Sequence, residues 1–367
     1  MLATLNRFKR DLARVHSEGP PRIVFWAITN HCNAACATCG FYLLPRAQRM
    51  HCDLADAKKA IAVLARSNIR LVSLTGGEPL LHPHLFEICD EVNRCGIEIS
   101  YIPTNGLLVD DERAKLLKRA RAKVVGISIE PLGKDGMGVT RKIKDLHGVV
   151  AGARERLDRQ GVANYAGILL STATRDIRAT LSLARELGFT KVSFSYPQLE
   201  QDSTYVAARK TSVIELSAAD VAEMVSAIKA AKRSFRGLAI YNTDESLDDL
   251  VRFYRQEPRR YPCWGGRRLY YMDWHFDLYP CFALSRRYGN VLHMDQLLAG
   301  QEASLCDLCT QQAFRDFGPL YRGIGAIAEG FREIGRGRPL RGVRCLTEND
   351  ALAGMYSLLE VYRGGFV

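Results

Sequence analysis

The sequence lacks any run of about twenty consecutive apolar residues, the length that a helix needs to cross a bilayer. Its Lys- and Arg-containing start, residues 1–10, has no apolar core of the kind found in secretory signals. Internal repeats and low-complexity tracts are also missing, and eleven cysteines in 367 residues are too few for a disulfide scaffold. These absences predict a globular protein of a reducing compartment, and we expect a cytoplasmic location.

Charge is unbalanced, with 51 Lys and Arg against 40 Asp and Glu and a formal net charge of +11. Metal-bound thiolates would offset part of that excess. The remaining positive charge is scattered along the sequence, where it could attract an anionic substrate, a phosphorylated ligand or acidic lipid. We therefore predict no nucleic-acid partner and no stable membrane insertion, and the sequence leaves the oligomeric state open.

Short β-branched runs alternate with amphipathic stretches from residue 23 onward, which is typical of repeated βα units around a parallel sheet. The pattern predicts strands at 23–28, 70–74, 98–102, 124–129, 166–170 and 191–195. It predicts helices at 54–65, 85–95, 111–120, 146–160, 177–187 and 218–234. Six units are fewer than the eight of a closed barrel, so we expect an α/β fold with a partial (β/α)6 barrel. Its ligands should bind after the C-terminal ends of the strands.

The alternation stops near residue 238, where aromatic residues, arginines and further cysteines appear. This change predicts a smaller Cys-rich module, followed by Gly- and Arg-rich sequence around 335–342 and a short terminal helix. The predicted division is an N-terminal helix or arm at 1–20, a barrel at 21–237, the module at 238–315 and a C-terminal helical tail at 316–367.

Three cysteines follow the first predicted strand at the spacing C-x3-C-x2-C, and Cys32, Cys36 and Cys39 form this first cysteine set. Three thiolates on one tight loop can hold three irons of a [4Fe-4S] cluster and leave the fourth iron open to a ligand. A zinc knuckle or unrelated buried thiols would also fit the three cysteines alone.

A glycine-rich segment, Thr75-Gly-Gly-Glu-Pro79, follows the second predicted strand. Taken alone it could be a simple turn. Together with the first cysteine set, it resembles the radical S-adenosylmethionine (radical SAM) superfamily. That resemblance implies a [4Fe-4S] cluster that binds and cleaves SAM, a 5′-deoxyadenosyl radical that abstracts hydrogen, and an external one-electron donor of the flavodoxin or ferredoxin kind.

The same resemblance implies where SAM is held. Gly76 and Gly77 would let backbone approach a ligand closely, and Glu78 with nearby carbonyls could receive the SAM ammonium group. Residues at later strand ends could contact SAM or be solvated caps, and Arg141 could pair with the SAM carboxylate or be solvated. The predicted cofactor-binding residues are Gly76, Gly77, Glu78, Pro79, Asn105, Ser128, Glu130 and Arg141. No catalytic side chain is assigned, and Asp176 departs from the Asn usual in the family at that loop.

Four further cysteines form the second cysteine set, Cys263, Cys281, Cys306 and Cys309. Their order resembles the auxiliary-cluster module of the SPASM/twitch group in its shorter twitch form, which implies a second [4Fe-4S] cluster. Four protein ligands leave no open iron, which favours electron transfer. A structural zinc site would use the same four thiolates. Phe276 stands where that module usually has glycine, which leaves the geometry of the turn open.

The remaining cysteines are Cys52, Cys89, Cys95 and Cys345. Cys89 and Cys95 lie in a helical pattern, and we expect small buried apolar side chains there. Cys52 and Cys345 could be substrate-site thiols, although an inert role is favoured. His31 and His275 border the two cysteine sets, where packing or hydrogen bonding is the commoner role of a single histidine.

We therefore expect a radical SAM oxidoreductase or transformase that abstracts hydrogen from a small molecule, such as a natural-product intermediate, a sugar or cyclitol, or a nucleoside. The auxiliary cluster would favour oxidation or bond formation. The short sequence before Cys32 leaves little room for a leader-peptide-binding domain. The alternatives are a peptide-modifying radical SAM maturase and a non-catalytic iron–sulfur or zinc protein.

Overall fold

A computed structural model of the chain describes residues 19–198, 211–297, 306 and 309–363. Its first seven strands are β1 (Arg22–Thr29), β2 (Ile69–Gly76), β3 (Glu98–Thr104), β4 (Val125–Ile129), β5 (Asn164–Leu169), β6 (Lys191–Ser195) and β7 (Ala239–Ile240). The helices among and after them are α1 (Leu54–Arg66), α2 (Leu85–Arg94), α3 (Asp111–Arg119), α4 (Leu146–Arg159), α5 (Ile177–Glu186), α6 (Ala218–Ser234) and α7 (Asp244–Tyr254). Short 3-10 helices cover Phe41–Leu43, Arg46–Gln48, Pro79–Leu81, Thr172–Thr174, Ser212–Ile214 and Val291–His293.

Strands β1 to β7 pair in sequence order and all run parallel. The predicted α/β fold is confirmed, and its six predicted βα units are followed by a seventh strand and helix. On its other side, β1 pairs in parallel with β8 (Leu269–Met272), which is followed by antiparallel β9 (Asp277–Tyr279) and β10 (Gly289–Asn290). The Cys-rich part of the chain therefore continues the barrel sheet, in the order β10-β9-β8-β1-β2-β3-β4-β5-β6-β7.

The core of the barrel lies between the sheet and the apolar faces of its helices. Helix α1 shows the reason, because its buried residues recur three and four positions apart and Asp53 caps its first turn by accepting a bond from Asp56 N at 3.0 Å. The strands contribute fully buried aliphatic residues such as Val72 and Ile127. Burial of this apolar surface is the main stabilising contribution to the barrel.

Three helices close the described chain, α8 (Gln312–Gly335), α9 (Pro339–Thr347) and α10 (Asn349–Arg363). The prediction of one short terminal helix after a Gly- and Arg-rich stretch is wrong, because three helices are present and that stretch already contains the first four residues of α9. The prediction also missed β7, which has two residues, and α7. The domain boundaries stay a prediction. Position 316 lies inside α8, and most of the predicted N-terminal arm lies outside the described residues.

Within the part of the chain that the structure describes, no helix is both long and apolar enough to pass through a membrane.

Candidate functional site

The first cysteine set lies in a loop that starts and ends at the carboxyl end of β1. In this cysteine loop (residues 30–51), the buried Asn30 donates to Gln48 O at 2.8 Å and accepts from Met50 N at 2.7 Å. Thr29 Oγ1 donates to Met50 O at 3.0 Å. Both ends of the loop are thus held at one point, where a parallel sheet presents its ligands.

The three thiols of the first set influence one another electrostatically. The pKa of Cys32 is raised to about 11 and that of Cys39 to about 12, mainly by burial and in smaller part by the charge of Cys36. Burial also raises the pKa of Cys36. Ala34 N donates to Cys32 Sγ at 3.4 Å. A metal ion bound by such thiols would have to displace their protons, so its binding would be coupled to deprotonation.

The glycine-rich segment touches the backbone of the cysteine loop. Gly77 N donates to Thr29 O at 2.9 Å, and Glu78 N donates to His31 O at 2.9 Å. A Cβ on Gly76, whose φ is +133°, would lie 2.0 Å from Thr29 O. The two glycines thus allow backbone to approach backbone, a reason that the sequence did not reveal, and their contact with a ligand stays a prediction.

Glu78 joins the ends of β2 and β3. Its carboxylate, 1% exposed, accepts from Thr104 Oγ1 at 2.9 Å, from Asn105 N at 2.8 Å and from Leu80 N at 3.2 Å. Burial raises the pKa of Glu78 to about 7, and the three donors oppose that rise. Pro79 begins the short helix that Glu78 caps. Glu78 therefore holds loops in place, and its contact with an ammonium group stays a prediction.

Asn105 connects the end of β3 to the cysteine loop. Its Nδ2 donates to Asn33 Oδ1 at 2.8 Å, and its Oδ1 accepts from Leu107 N at 3.0 Å. The sequence analysis assigned Asn105 to the cofactor and overlooked Asn33, which lies between two cysteines where no spacing rule marks it. Asn33 and Asn105 thus link two loops around the first cysteine set.

Glu130 organises the loop that follows β4. Its buried carboxylate accepts from Thr140 N at 3.0 Å and Arg141 N at 2.5 Å, and it also accepts from Thr140 Oγ1. A Cβ on Gly138 would lie 2.2 Å from Glu130 Oε1, so the loop closes tightly around the carboxylate. Ser128 lies half-buried on β4, opposite Gly167. Contact of Ser128 and Glu130 with SAM stays a prediction.

Arg141 lies on that same loop and contacts the first cysteine set. Its backbone forms an antiparallel bridge with Cys36, and its Nη1 lies 3.5 Å from Glu130 Oε2. The charge of its guanidinium opposes the rise that burial causes in the pKa of Cys36. Arg141 is therefore a cation next to a predicted iron ligand, where a bound carboxylate could also reach it.

Members of the second cysteine set lie together on the other side of β1. Cys263, Cys281 and Cys309 are buried, and the charges of Cys309 and Cys263 add to the effect of burial, which raises the pKa of Cys281 to about 12. Gly265 N donates to Cys263 Sγ and Ala283 N to Cys281 Sγ, both at 3.4 Å. Among the described residues, no three or more His, Cys, Asp or Glu side chains are grouped around the position of a single metal ion.

Two buried arginines hold the backbone of Cys306 and Cys309. Arg315, which is 0% exposed, donates from Nε to Cys309 O at 2.8 Å and from Nη1 to Asp249 Oδ2 at 2.5 Å. Arg259 Nη1 donates to Cys306 O at 3.4 Å. The charges of both arginines oppose the rise that burial causes in the pKa of Cys309. The sequence analysis missed these residues, because nothing in the spacing marks a buried arginine.

An aromatic cluster lies between the two cysteine sets and contacts residues of both. The Phe25 ring on β1 lies 5.5 Å from the ring of Phe282 and 5.6 Å from that of Phe314. Cys263, Cys281 and Cys309 belong to this buried cluster, and Cys32 and Cys39 pack against it. Both sets therefore border one apolar region.

Phe276 adopts the backbone conformation that glycine reaches most easily. Its φ is +65°, and its buried ring lies 5.9 Å from that of Trp26. Asp273 Oδ1 accepts from His275 N at 2.9 Å and from Asp277 N at 3.0 Å, which fixes the turn between β8 and β9. A left-handed turn thus forms without glycine, and packing of the ring offsets its strain.

The other cysteines lie apart from these contacts. Cys52 and Cys89 are buried, whereas Cys95 and Cys345 are half-buried. Cys52 Sγ lies 3.4 Å from His82 Nε2, and burial raises the pKa of Cys52 to about 12. Asp176 accepts from Ala179 N at 2.9 Å and so caps α5.

Comparison with known proteins identifies relatives that match parts of the sequence. The chain is 34% identical to the GTP 3′,8-cyclase of Chlorobaculum tepidum over 36% of this chain and 39% of that enzyme. It is 24% identical to the AdoMet-dependent heme synthase of Methanosarcina barkeri over 74% of this chain and 79% of that enzyme. The chain thus spans about two fifths of the length of the cyclases that it matches first.

Among solved structures, SuiB of Streptococcus suis bound to S-adenosylmethionine superposes with a TM-score of 0.57 at 14% identity, over 81% of this chain and 70% of SuiB. This likeness supports the fold. Residues 26–197, which run from β1 past β6, match the profile of the Radical SAM superfamily. SAM and a [4Fe-4S] cluster are the cofactors of that family, and residues 26–197 of this chain form a radical SAM domain.

Proposed function

We propose that this chain is a radical SAM enzyme that abstracts hydrogen from a small molecule, with Cys32, Cys36 and Cys39 as the ligands of the SAM-binding [4Fe-4S] cluster. The observation that carries the proposal is the contact between the cysteine loop and the Gly76–Glu78 backbone, at the carboxyl ends of β1 and β2. The donor set fits the cluster, because three thiolates leave one iron open. When bound, SAM and a reduced cluster would supply an organic radical.

The chain's own part is to bind and orient SAM. We propose that Arg141 pairs with the SAM carboxylate, since its guanidinium already lies beside Cys36. The carboxylates of Glu78 and Glu130 accept hydrogen bonds from nearby residues of the chain, and these bonds position the surrounding backbone. Gly76, Gly77, Glu78, Pro79, Asn105, Ser128 and Glu130 complete the proposed cofactor contacts.

We propose that the second cysteine set holds an auxiliary [4Fe-4S] cluster of the SPASM/twitch kind. Support comes from the N–H···S bonds at Cys263 and Cys281, which repeat the one at Cys32. Such bonds and buried cations favour a reduced cluster. We propose that the auxiliary cluster would accept an electron from a substrate radical, and the aromatic cluster that both sets border supports this role. That role favours oxidation or bond formation.

A small-molecule substrate is supported by the names of two relatives, a heme synthase and a GTP cyclase, whereas a third is named a PqqA peptide cyclase. Strands β3 and β5 carry the hydroxyl groups of Tyr101 and Tyr165, whose rings stack 5.7 Å apart. Strand β6 carries Ser193, whose Oγ accepts from Gln312 Nε2 of α8 at 2.9 Å. Small polar molecules are recognised by a few such placed groups. A flavodoxin- or ferredoxin-like donor would supply the electron.

Anaerobic reconstitution tests the assignment of both sets. The parent should bind about eight irons, as two cubane clusters require, and should form 5′-deoxyadenosine from SAM with dithionite. Cys32→Ala should abolish SAM cleavage, whereas Cys306→Ala with Cys309→Ala should lose about half of the iron but keep cleavage. Cys95→Ala, outside both sets, is the matched control and should behave as the parent. Tightly bound zinc with no cleavage of SAM would contradict the proposal.

Substrate class is tested with the same reconstituted enzyme. A low-molecular-weight, peptide-free metabolite fraction should increase 5′-deoxyadenosine formation. When that fraction is deuterium-labelled, deuterium should enter the 5′-deoxyadenosine. Stimulation by a peptide fraction alone would reject the small-molecule part of the proposal and leave the cluster assignment standing.

A further inference from the structure

The C-terminal end of α8 and the adjoining α9 form an exposed surface that has no role in the proposed chemistry. We call it the basic apolar surface, defined by Phe331, Ile334, Leu340 and Val343 together with Arg332, Arg336, Arg338, Arg341 and Arg344. The side chain of Leu340 is 86% exposed, and those of Phe331 and Val343 are 54% and 52% exposed. Exposure of so many large apolar side chains within fourteen residues marks an interaction site.

Backbone packing keeps these side chains on the outside. A Cβ on Gly342 would lie 2.6 Å from Gly330 O and 2.5 Å from Ile334 Cγ1, so α9 lies directly against the end of α8. Gly342 is the buried residue of α9. Leu340 and Val343 occupy another face, three residues apart and thus neighbours on the helix. The two helices therefore present their apolar groups to solvent next to one another.

The same surface is strongly positive. Residues 331–347 contain five arginines and one carboxylate, Glu333, for a net charge of +4. Glu333 lies 3.3 Å from both Arg336 Nη1 and Arg338 Nη1. Arg341 and Arg344 are exposed on α9, beside Leu340 and Val343. The partner must therefore combine negative charge with an apolar layer.

We infer that the basic apolar surface docks on a bilayer surface rich in anionic lipid. Arginines pair with anionic headgroups while Leu340, Val343, Phe331 and Ile334 enter the boundary of the acyl chains. A second copy of the chain would bring an equal positive charge to the contact. Nucleic acid or an acidic peptide would satisfy the arginines and leave Leu340 in water. This inference does not depend on the proposed reaction.

Vesicle flotation with the full chain tests the inference. Vesicles of phosphatidylcholine and phosphatidylglycerol in equal parts should carry the folded protein, whereas phosphatidylcholine alone should not. Binding should weaken as salt is added, because salt screens exposed charges. Absence of binding to the anionic vesicles, with the fold verified by circular dichroism, would overturn the inference.

Matched variants separate the two parts of the surface. Leu340→Ser with Val343→Ser should lower vesicle binding about tenfold, and Arg341→Glu should do so by a similar factor. The controls are Leu352→Ser with Leu359→Ser on α10, whose side chains are 48% and 52% exposed, and Arg178→Glu on α5. Both controls should bind vesicles as the parent does.

Two other outcomes would also overturn the inference. Unchanged vesicle binding of Leu340→Ser with Val343→Ser, together with competition by polyglutamate or duplex DNA, would identify a plain anion-binding surface. A dimer in lipid-free solution that this double variant dissociates would identify a second copy as the occupant.

Discussion

Gly77 faces the carbonyl oxygen of His31 so closely that a Cβ added to Gly77 would lie 2.3 Å from that oxygen. Real Cβ atoms do not come so near to backbone oxygen, so one of the two loops would have to move. His31 immediately precedes Cys32, and Glu78 N donates to the same His31 carbonyl at 2.9 Å. The glycine is therefore a steric condition for the position of the first cysteine set.

Gly77→Ala should displace the cysteine loop and lower the iron bound by the first cysteine set. After anaerobic reconstitution, we expect the variant to retain roughly half of the parent's iron, held by the second set, and to lose cleavage of SAM. Iron analysis and 5′-deoxyadenosine formation measure the two effects. Gly325→Ala is the matched control, because a Cβ there meets nothing within 4 Å. Full iron and normal cleavage in Gly77→Ala would refute this steric role.

Much of the barrel followed from the sequence, because hydrophobic periodicity is local information. The strand predicted at 191–195 and the helix predicted at 218–234 have the bounds that the structure shows. β7 was missed because two residues cannot carry a period, and the pairing of β8 with β1 was missed because strand partners are set by tertiary contacts. Local patterns therefore predicted most helices and strands but not the pairing of strands that are distant in the sequence.

The site, too, could be predicted from the sequence only where local features mark its residues. Cysteine spacing marks both cysteine sets in the sequence. The hydrogen bonds by which Glu78 and Glu130 hold nearby backbone were not predicted, and their contact with the cofactor stays a prediction. The Arg315–Asp249 pair joins residues 66 positions apart. No local pattern encodes such a contact, so only the folded chain reveals it.

Glu78 should make stability depend on pH. Its folded pKa of about 7 lies above the ordinary value of 4.5, so the folded state holds a proton that the unfolded state has released between these values. The stabilising contribution is complete below the unfolded pKa and is lost as the pH rises through the folded one, by about 3 kcal/mol in all. Glu78→Gln removes this dependence. Urea unfolding of the iron-free chain between about pH 5 and about pH 8 measures it.

The matched control for that measurement is Glu112→Gln, which changes an exposed glutamate on α3. Its stability curve should run parallel to that of the parent. A constant difference between the parent and Glu78→Gln across the whole pH range would show that the buried carboxyl does not titrate between the two values.

Cys52 should be inert toward iron. Its side chain is 4% exposed within the main core, and its Sγ lies 3.4 Å from His82 Nε2. Cys52→Ala should lower the free energy of unfolding by about 1 kcal/mol, the cost of a small cavity, and leave iron content and SAM cleavage unchanged. Cys32→Ala, tested in parallel, should lose cleavage. A fall in iron for Cys52→Ala would instead identify Cys52 as a ligand.

Arg315 should be required for the second cysteine set because it fixes the backbone at Cys309. Arg315→Lys keeps the positive charge but loses the planar fork that reaches both Cys309 O and Asp249 Oδ2. We expect a destabilisation of about 1–3 kcal/mol, from unpaired buried groups, and the loss of roughly half of the bound iron with SAM cleavage retained.

The matched control is Arg322→Lys on the same helix, where the guanidinium pairs with Glu348 at the surface and the cost should be less than about 1 kcal/mol. Urea unfolding and iron analysis after reconstitution separate the two variants. If Arg315→Lys keeps full iron and unfolds like Arg322→Lys, the buried arginine neither positions Cys309 nor supports the auxiliary site. If it loses SAM cleavage along with its iron, the two cysteine sets do not form independently.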